Sequence, residues 1–182
     1  IGGGMVGLAF ALEFSAQRNT SIAVVDPGEI NPTIHESFHT RVNAITPVSE
    51  AFLNELNVWD AIARKQSFHT TKVWDQNSHG QLNFNALDEG LDHLGSIVEN
   101  DLIQAALFAS LDRKKIDCIE SRLMDLEKTS GGYQITLSDQ SKLSCQLLIG
   151  ADGAQSQVRS LAGIITSDND YQQQAIIANI SC

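Results

Sequence analysis

The feature that most constrains the fold of this chain is its first stretch, IGGGMVG. Gly2, Gly4 and Gly7 match the pattern G-x-G-x-x-G, in which the first glycine permits a tight turn and the second lets a phosphate approach the backbone. The third lets a helix pack closely on a strand. The apolar run that follows predicts a buried helix from Met5 to Arg18 that stops at Asn19. The free N–H groups at the start of such a helix attract an anion.

A carboxylate closes the strand that follows this helix. Residues 21–26, SIAVVD, predict a short apolar strand that ends at Asp26 and is closed by Pro27-Gly28. Asp26 follows Gly7 at close to the ~20-residue spacing at which a dinucleotide-binding unit places the acid for the ribose hydroxyls. The sequence therefore predicts a dinucleotide site at the three glycines and Asp26. The alternative for Asp26 is a solvated carboxylate at a strand end.

Composition narrows the classes of function. The 182-residue chain carries a formal net charge of −10, whereas a protein that neutralises many phosphates needs a basic face, so no nucleic-acid partner is expected. No stretch is apolar over the ~20 residues that a membrane-spanning helix needs. The three cysteines lack metal-ligand spacing and fit reduced thiols, which indicates a cytoplasmic protein.

Helices and strands alternate in the middle of the sequence. Thr46 and Pro47 predict the start of a helix. Its apolar face comprises Val48, Phe52 and Leu56. TTKVWDQ and GQLNFNA predict a hairpin, and HLGSIV predicts an apolar strand. Asn100 is placed to cap the next helix. The apolar stripe of that helix comprises Leu102, Ile103, Ala106, Leu107 and Leu111.

After Ile116 the pattern becomes that of paired strands. Three segments, IDCIESRLMDLEK, GYQITLS and KLSCQLLIG, are separated by turn residues and predict an antiparallel meander. GADGAQSQVRSLAG then predicts a strand end, a turn at Asp152-Gly153 and a short helix. QQQAIIANIS predicts one further strand.

A zinc-hydrolase pattern occurs in the loop after the first strand. HESFH matches H-E-x-x-H, in which His35 and His39 bind zinc from one helical face and Glu36 is the base. A helix here would be squeezed between Pro32 and Arg41. A polar loop beside the cofactor is therefore the main interpretation, and a zinc hydrolase is a remote alternative.

A second motif distinguishes between the kinds of dinucleotide-binding protein. In LLIGADGAQSQVR, an apolar strand predicted at residues 147–150 delivers Asp152 and Gly153 into a turn. Together with GGGMVG, RVNAI, VWD and HLGSIVEN, this motif resembles the flavoprotein aromatic hydroxylases of the para-hydroxybenzoate hydroxylase type. The resemblance runs through the whole chain in order, and it is closest to the ubiquinone-biosynthesis hydroxylases.

That resemblance implies cofactor roles in the first part of the chain. Gly2, Gly4 and Gly7 would cradle the pyrophosphate of FAD. Asp26 would bind the adenosine ribose, at a position where the family more often has glutamate. Arg41 would reach the pyrophosphate side, where a guanidinium fits phosphate geometry, and its alternative is a solvated loop arginine.

Further cofactor residues are implied later in the chain. Asn100 matches a polar position near the flavin, although a helix cap explains it equally well. Asp152 and Gly153 match the Asp-Gly motif that this class uses for both FAD and NAD(P)H. Arg159 is expected to brace that turn by pairing with Asp152.

The resemblance also implies the reaction, a hydroxylation of the aromatic ring of a polyprenylated phenol in ubiquinone biosynthesis. NAD(P)H would reduce FAD, O2 would add at flavin C4a, and the hydroperoxide would pass one oxygen to the ring. The cofactor carries this chemistry, so neither a catalytic side chain nor a metal ligand is assigned. The apolar tail of such a substrate implies peripheral contact with the inner membrane surface, or a complex with other ubiquinone-biosynthesis proteins. An FAD- or NAD-dependent oxidoreductase without oxygenation is the alternative.

The expected fold is α/β, a Rossmann-like FAD-binding three-layer fold with an antiparallel β-meander and part of a substrate-domain sheet. The FAD-binding domain is predicted at residues 1–68 and 93–170, a substrate-domain segment at 69–92, and the start of the substrate-domain sheet at 171–182. Only Ile1 remains of the strand that should precede the glycine loop, and the family's later Gly-Asp motif has no counterpart. The chain is therefore expected to be an N-terminal fragment.

Overall fold

The structure is a computed structural model that describes residues 1–17, 20–76 and 79–180. The predicted helix end at Arg18, its stop at Asn19 and the last cysteine, Cys182, lie outside the described residues. Helices and parallel and antiparallel strands are all present, which confirms the α/β class. Among the residues that the structure describes, no helix combines the length and the apolar character needed to cross a membrane.

The backbone divides into two compact units, which are described separately. They are unit 1 (Ile1–Thr33 and Leu107–Ile176) and unit 2 (Ile34–Ala106 and Ile177–Cys182). The domain boundaries predicted from the sequence stay a prediction.

The centre of unit 1 is a parallel sheet that contacts helix α1 (Met5–Gln17). Its two strands are β1 (Ile22–Asp26) and β7 (Ile116–Glu120), which pair along their whole length. One face of α1, with Leu8, Ala11 and Leu12, is buried as predicted. The opposite face is not, since Val6 is 71% exposed. The helix therefore packs through one face only.

The first two residues extend this sheet beyond β1. The Gly2 N–H donates to Val25 O at 2.8 Å. On the other side, the Ile1 nitrogen donates to Ile149 O, and Ile1 O accepts from the Ala151 N–H, both at 2.7 Å. Ile1 and Gly2 therefore lie in the middle of the sheet, directly before the glycine loop, as the sequence predicts for the strand that leads into it.

Two of the glycines are required by this close packing. Gly2 has φ +108°, and a Cβ there would overlap Ala151 O. A Cβ at Gly7 would overlap Gly2 O, because the first turn of α1 lies directly on that backbone. The sterics thus give Gly2 the role of the turn glycine and Gly7 the role of the packing glycine.

The meander follows in unit 1 as a three-stranded antiparallel sheet, with one correction to the prediction. Its strands are β8 (Leu123–Thr129), β9 (Gly132–Leu137) and β10 (Lys142–Cys145), in the order β10-β9-β8. The segment IDCIESRLMDLEK does not form one meander strand, because its first half is the parallel strand β7. The Ser121 N–H still donates to Asp26 O at 2.9 Å, and the pairing with β9 begins only at Leu123.

The core of unit 1 joins the meander to the parallel sheet. Its buried side chains are Val25, Leu123, Ile135, Leu137 and Val158. Val158 belongs to the short helix α4 (Gln157–Leu161), which was predicted after the Asp152-Gly153 turn. The turn that bears this motif is thus fixed to the same core as β1.

Unit 2 is built on a second antiparallel sheet. Its strands are β2 (Val42–Ile45), β6 (Gly95–Glu99) and β3 (Lys65–Phe68), in the order β2-β6-β3, and a 3₁₀ turn at Trp59–Ala61 precedes β3. Helix α3 (Asn100–Ala109) begins directly after β6. All residues of the predicted apolar stripe are buried: Leu102, Ile103 and Ala106 belong to unit 2, whereas Leu107 and Leu111, the latter just beyond α3, belong to unit 1.

Helix α2 (Pro47–Glu55) starts as predicted but buries a different face. Thr46 caps it, since its Oγ1 accepts from the Ser49 N–H. Of the expected apolar face, Val48 is 80% exposed and Phe52 37%, while Leu56 is partly buried. Glu50 and Leu53 are buried instead, and the Glu50 carboxylate lies 2.8 Å from His93 Nε2. The inward side of α2 therefore carries Leu53 and the ionisable pair of buried Glu50 and partly buried His93.

The predicted hairpin is confirmed, and the predicted last strand is wrong. The strands β4 (Thr70–Trp74) and β5 (Gln81–Asn85) pair in antiparallel register and lead to a 3₁₀ turn at Ala86–Glu89. Residues 173–180, by contrast, form neither helix nor strand, and Ile176 is 95% exposed. A strand needs a partner ladder, and no described strand pairs with this segment.

The close contact at Gly7 predicts the effect of one added methyl group. Gly7→Ala should lower the free energy of unfolding by about 3 kcal/mol, because the Cβ meets a backbone oxygen that cannot rotate away. Urea unfolding followed by tryptophan fluorescence measures the change. Gly131→Ala is the matched control, since no atom lies within 4 Å of its Cβ position. Equal stability of the two variants would contradict the assignment.

Candidate functional site

The glycine loop and the end of β1 come together in unit 1. Asp26 Oδ2 accepts from the Gly3 N–H, and Asp26 Oδ1 accepts from the Gly28 N–H, both at 2.7 Å. Gly4 O accepts from the Leu8 N–H at 3.0 Å, so Gly4 is the residue from which α1 begins. The predicted juxtaposition of loop, helix start and carboxylate is therefore present.

Open space lies where the backbone is expected to meet a phosphate. A Cβ at Gly4 would have no atom within 4 Å, whereas Gly2 and Gly7 are both packed against backbone. The first N–H groups of α1 carry the partial positive charge of a helix N-terminus. This arrangement fits a dinucleotide, with its pyrophosphate at Gly4 and its ribose at Asp26.

Asp152 lies next to the glycine loop and, together with the N-cap residue Ser156, caps the first N–H groups of α4. A Cβ at Gly2 would be 2.8 Å from Asp152 N. The Asp152 carboxylate accepts from Ser156 Oγ and the Gln157 N–H at 2.6 Å, and from the Val158 N–H at 3.0 Å. Burial alone would raise the pKa of this carboxyl, but these hydrogen bonds outweigh it and hold the pKa below its ordinary value.

The residues around Asp152 differ in one respect from the prediction. Gly153 has φ +82°, which a turn residue with a side chain would rarely adopt. Arg159 does brace the turn, but it donates to Ala154 O at 2.6 Å, whereas Asp152 accepts from Ser156, Gln157 and Val158. The acceptor sites of Asp152 point to the start of α4, so the arginine binds the turn backbone instead.

Arg41 and Asn100 lie together in unit 2. The Asn100 N–H donates to Arg41 O at 3.1 Å. The Asn100 side-chain oxygen accepts from Asn43 Nδ2 at 3.2 Å. Asn100 is also the first residue of α3. The site residues thus form one group in unit 1, from Gly2 to Gly153, and a pair in unit 2.

The zinc-site pattern lacks the helix that it needs. Residues 35–39 are irregular, so His35 and His39 do not share a helical face. His39 Nδ1 instead accepts from the Arg41 N–H at 3.2 Å. In the described part of the chain, no cluster of three or more His, Cys, Asp or Glu side chains is arranged to hold a metal ion.

Sequence analysis missed an ion pair in unit 2. Glu99 is buried and accepts from Arg64 Nε at 2.8 Å and from Arg64 Nη2 at 3.1 Å. The available signal was a carboxylate at the end of an apolar strand, the same signal that identified Asp26. The partner of Glu99 could not be predicted from the sequence, because Arg64 lies in a polar segment without a pattern that indicates burial.

Comparison with known proteins agrees with this geometry. The family described as FAD binding domain matches residues 1–181. The chain belongs to this FAD-binding family. It is 33% identical to "Ubiquinone biosynthesis monooxygenase COQ6, mitochondrial" from Mus musculus, over 98% of the chain and 41% of that protein. It is 32% identical to "3-demethoxyubiquinol 3-hydroxylase" from Escherichia coli strain K12, over 100% of the chain and 47% of that protein.

The fold of this FAD-binding chain is also found in solved structures. The flavin-dependent monooxygenase PieE, in complex with FAD and substrate, superposes with a TM-score of 0.71 at 18% identity, over 90% of this chain and 31% of that one. This confirms the Rossmann-like FAD-binding fold. The chain spans less than half the length of the curated relatives named above.

The capping role of Asp152 predicts a pH-dependent stability. Asp152→Asn should lower the free energy of unfolding by about 1–2 kcal/mol near neutral pH, because α4 loses a charged cap. A carboxyl whose native pKa lies below its ordinary 3.8 stabilises the fold fully above that pH. The stabilisation is then lost as the pH falls through the lower native pKa.

Urea unfolding of wild type and variant, from neutral pH down to about pH 3, measures this difference. The gap between the two proteins should narrow only below the ordinary pKa of an aspartate. Asp168→Asn, at an exposed position, is the matched control and should show no gap. A gap that widens as the pH falls would contradict the capping role.

Proposed function

We propose that the protein to which this chain belongs is an FAD-dependent monooxygenase that hydroxylates the aromatic ring of a polyprenylated phenol in ubiquinone biosynthesis. The observation that carries the proposal is the glycine loop whose open side at Gly4 faces the start of α1, with Asp26 bonded to the same loop. The family match and the names of the two curated relatives support the reaction class.

In this proposal each group of the chain has a binding task. Gly2 and Gly7 set the backbone so that the amides at Gly4 meet the pyrophosphate, and Asp26 accepts from the ribose hydroxyls. Arg41 neutralises phosphate charge with its guanidinium. Asn100 lies near the flavin. Asp152 and Gly153 shape the turn that faces FAD and NAD(P)H.

The bound flavin supplies hydride acceptance and oxygen activation, which no side chain offers. NAD(P)H contributes two electrons, one atom of O2 enters the ring and the other leaves as water. The residues of this chain bind, orient and exclude water, and none is assigned as catalytic. We further propose that the apolar tail of the substrate brings the protein to the membrane surface, where O2 and the phenol meet it.

The glycine loop gives a direct test of cofactor binding. Gly4→Ala in the full-length protein should raise the dissociation constant for FAD about tenfold, because its Cβ fills the space that the pyrophosphate needs. The free energy of unfolding should change by less than about 1 kcal/mol, since the same position is open in the chain itself. Flavin fluorescence titration measures the affinity, and unchanged FAD binding would contradict the placement of the pyrophosphate at Gly4.

The reaction class is tested with isotopically labelled oxygen. Turnover of a prenylated phenol with NAD(P)H under oxygen-18 gas should place one labelled atom on the ring of the product, detected by mass spectrometry. A non-oxygenating oxidoreductase would oxidise NAD(P)H and leave the product unlabelled. That outcome would favour an FAD- or NAD-dependent oxidoreductase without oxygenation over the monooxygenase.

A further inference from the structure

A buried carboxylate in unit 2 receives three hydrogen bonds. Glu99 has 7% of its side chain exposed, and its oxygens accept from Arg64 Nε and Arg64 Nη2. The third bond comes from the His39 N–H to Glu99 Oε2 at 2.8 Å. Burial alone would raise the pKa of this carboxyl, but Arg64 and the His39 N–H lower it below its ordinary value. Glu99 is therefore a charged partner of both groups.

Arg64 extends from this carboxylate to the loop at residues 35–38. Its Nη1 donates to Glu36 O at 3.2 Å, and its Nη2 donates to His35 O at 3.1 Å. Its guanidinium carbon lies 5.4 Å from the centre of the Phe38 ring. A planar guanidinium offers five donors in a fixed fork, so it can bind a carboxylate and two carbonyls at once.

The same loop leads directly into Arg41, whose backbone is held on both sides. The Arg41 N–H donates to His39 Nδ1, and the Arg41 carbonyl accepts from the N–H of Asn100, the neighbour of Glu99. The next residue, Val42, is paired with Glu99 across the β2–β6 ladder. The Arg41 backbone is therefore bonded to Asn100, the neighbour of Glu99, and to His39, whose own N–H donates to Glu99.

We propose that Arg64 and Glu99 are positioning residues, which hold residues 35–41 so that the Arg41 side chain is presented for cofactor binding. The proposal rests on the proposed FAD function for the part played by Arg41. The ordering of the loop does not depend on the FAD function, because the contacts within unit 2 support it by themselves. A lysine at position 64 cannot do this, because a single ammonium cannot span the carboxylate and two carbonyls.

A plain structural role makes different predictions. If the ion pair only stabilised the β2-β6-β3 sheet, any change at Arg64 would lower the free energy of unfolding and act on FAD binding independently of Arg41. If it positions Arg41, its effect on FAD affinity must disappear once the Arg41 side chain is absent, because coupled residues are not additive. A double-mutant cycle distinguishes these two roles.

The first experiment measures the loop without cofactor. In the full-length apoprotein, hydrogen exchange read by mass spectrometry should accelerate in peptides covering residues 35–41 for Arg64→Gln, Arg64→Lys and Glu99→Gln. The His39 amide loses its acceptor or the support of that acceptor in each case. Arg122→Gln, an exposed arginine of unit 1, is the control and should exchange like wild type. Wild-type exchange in Arg64→Lys and Glu99→Gln would overturn the proposal.

The second experiment measures FAD affinity across the cycle. Arg64→Gln and Arg41→Gln should each weaken FAD binding about tenfold, and the double variant should be no weaker than Arg41→Gln alone. Additive losses would overturn the positioning role in favour of independent effects. If Arg64→Gln does not fold, as judged by far-UV circular dichroism, Arg64→Lys takes its place in the cycle.

The outcomes for the proposed function and for this inference are separate. Failure of wild type to bind FAD would remove the flavoenzyme proposal, while the exchange experiment would still decide whether Arg64 and Glu99 order the loop. Tight FAD binding by wild type, with loss in Arg41→Gln but not in the Arg64 or Glu99 variants, would remove the inference and leave the function standing.

Discussion

The structure of unit 1 depends on the close approach of three backbone segments at Gly2. The residue is hydrogen-bonded to Val25, a Cβ on it would overlap Ala151 O, and α1 lies on it through Gly7. Because no side chain fits between these segments, the loop cannot relax around a bound phosphate, and the amides at the start of α1 keep their direction. The packing that excludes side chains at Gly2 and Gly7 leaves Gly4 open between them, so the proposed binding site depends on the same contacts as the fold.

Three carboxylates organise the loops beside them, two at the ends of strands β1 and β6 and one, Asp152, in the irregular segment before α4. Asp26 holds the glycine loop and the turn after β1, Glu99 holds the segment before Arg41, and Asp152 holds the start of α4. In each case the carboxylate accepts from backbone N–H groups, and Glu99 and Asp152 also accept from the side chains of Arg64 and Ser156. A charged acceptor strengthens such bonds, and it does so where the chain leaves regular structure. These three carboxylates therefore order the loops that are expected to bind the cofactor.

Patterns with a local physical cause were predictable from the sequence. The glycine loop, the Thr46 cap, the hairpin and the stripe on α3 each depend on residues within a few positions of one another. The inward face of α2 was not predictable, because Glu50 is buried through His93, which lies far along the chain. The parallel strand β7 was assigned to the meander for the same reason, since alternation alone does not identify a distant partner such as β1. Residues 173–180 have a strand-like composition, but composition alone does not show whether a partner strand is present, and no described strand pairs with them.

The carboxylates differ in how many hydrogen-bond acceptor positions remain unused. This difference distinguishes a carboxylate that only holds the structure from one that is free to bind a ligand. An ionised carboxylate offers about four acceptor positions. Glu99 uses three of them within the described residues and is almost wholly buried, so little acceptor capacity remains for a ligand. Asp26 uses two, one on each oxygen, and is only partly buried at the edge of the sheet. Asp26 therefore keeps acceptor positions for the role proposed for it, in which two adjacent ribose hydroxyl groups donate to the carboxylate.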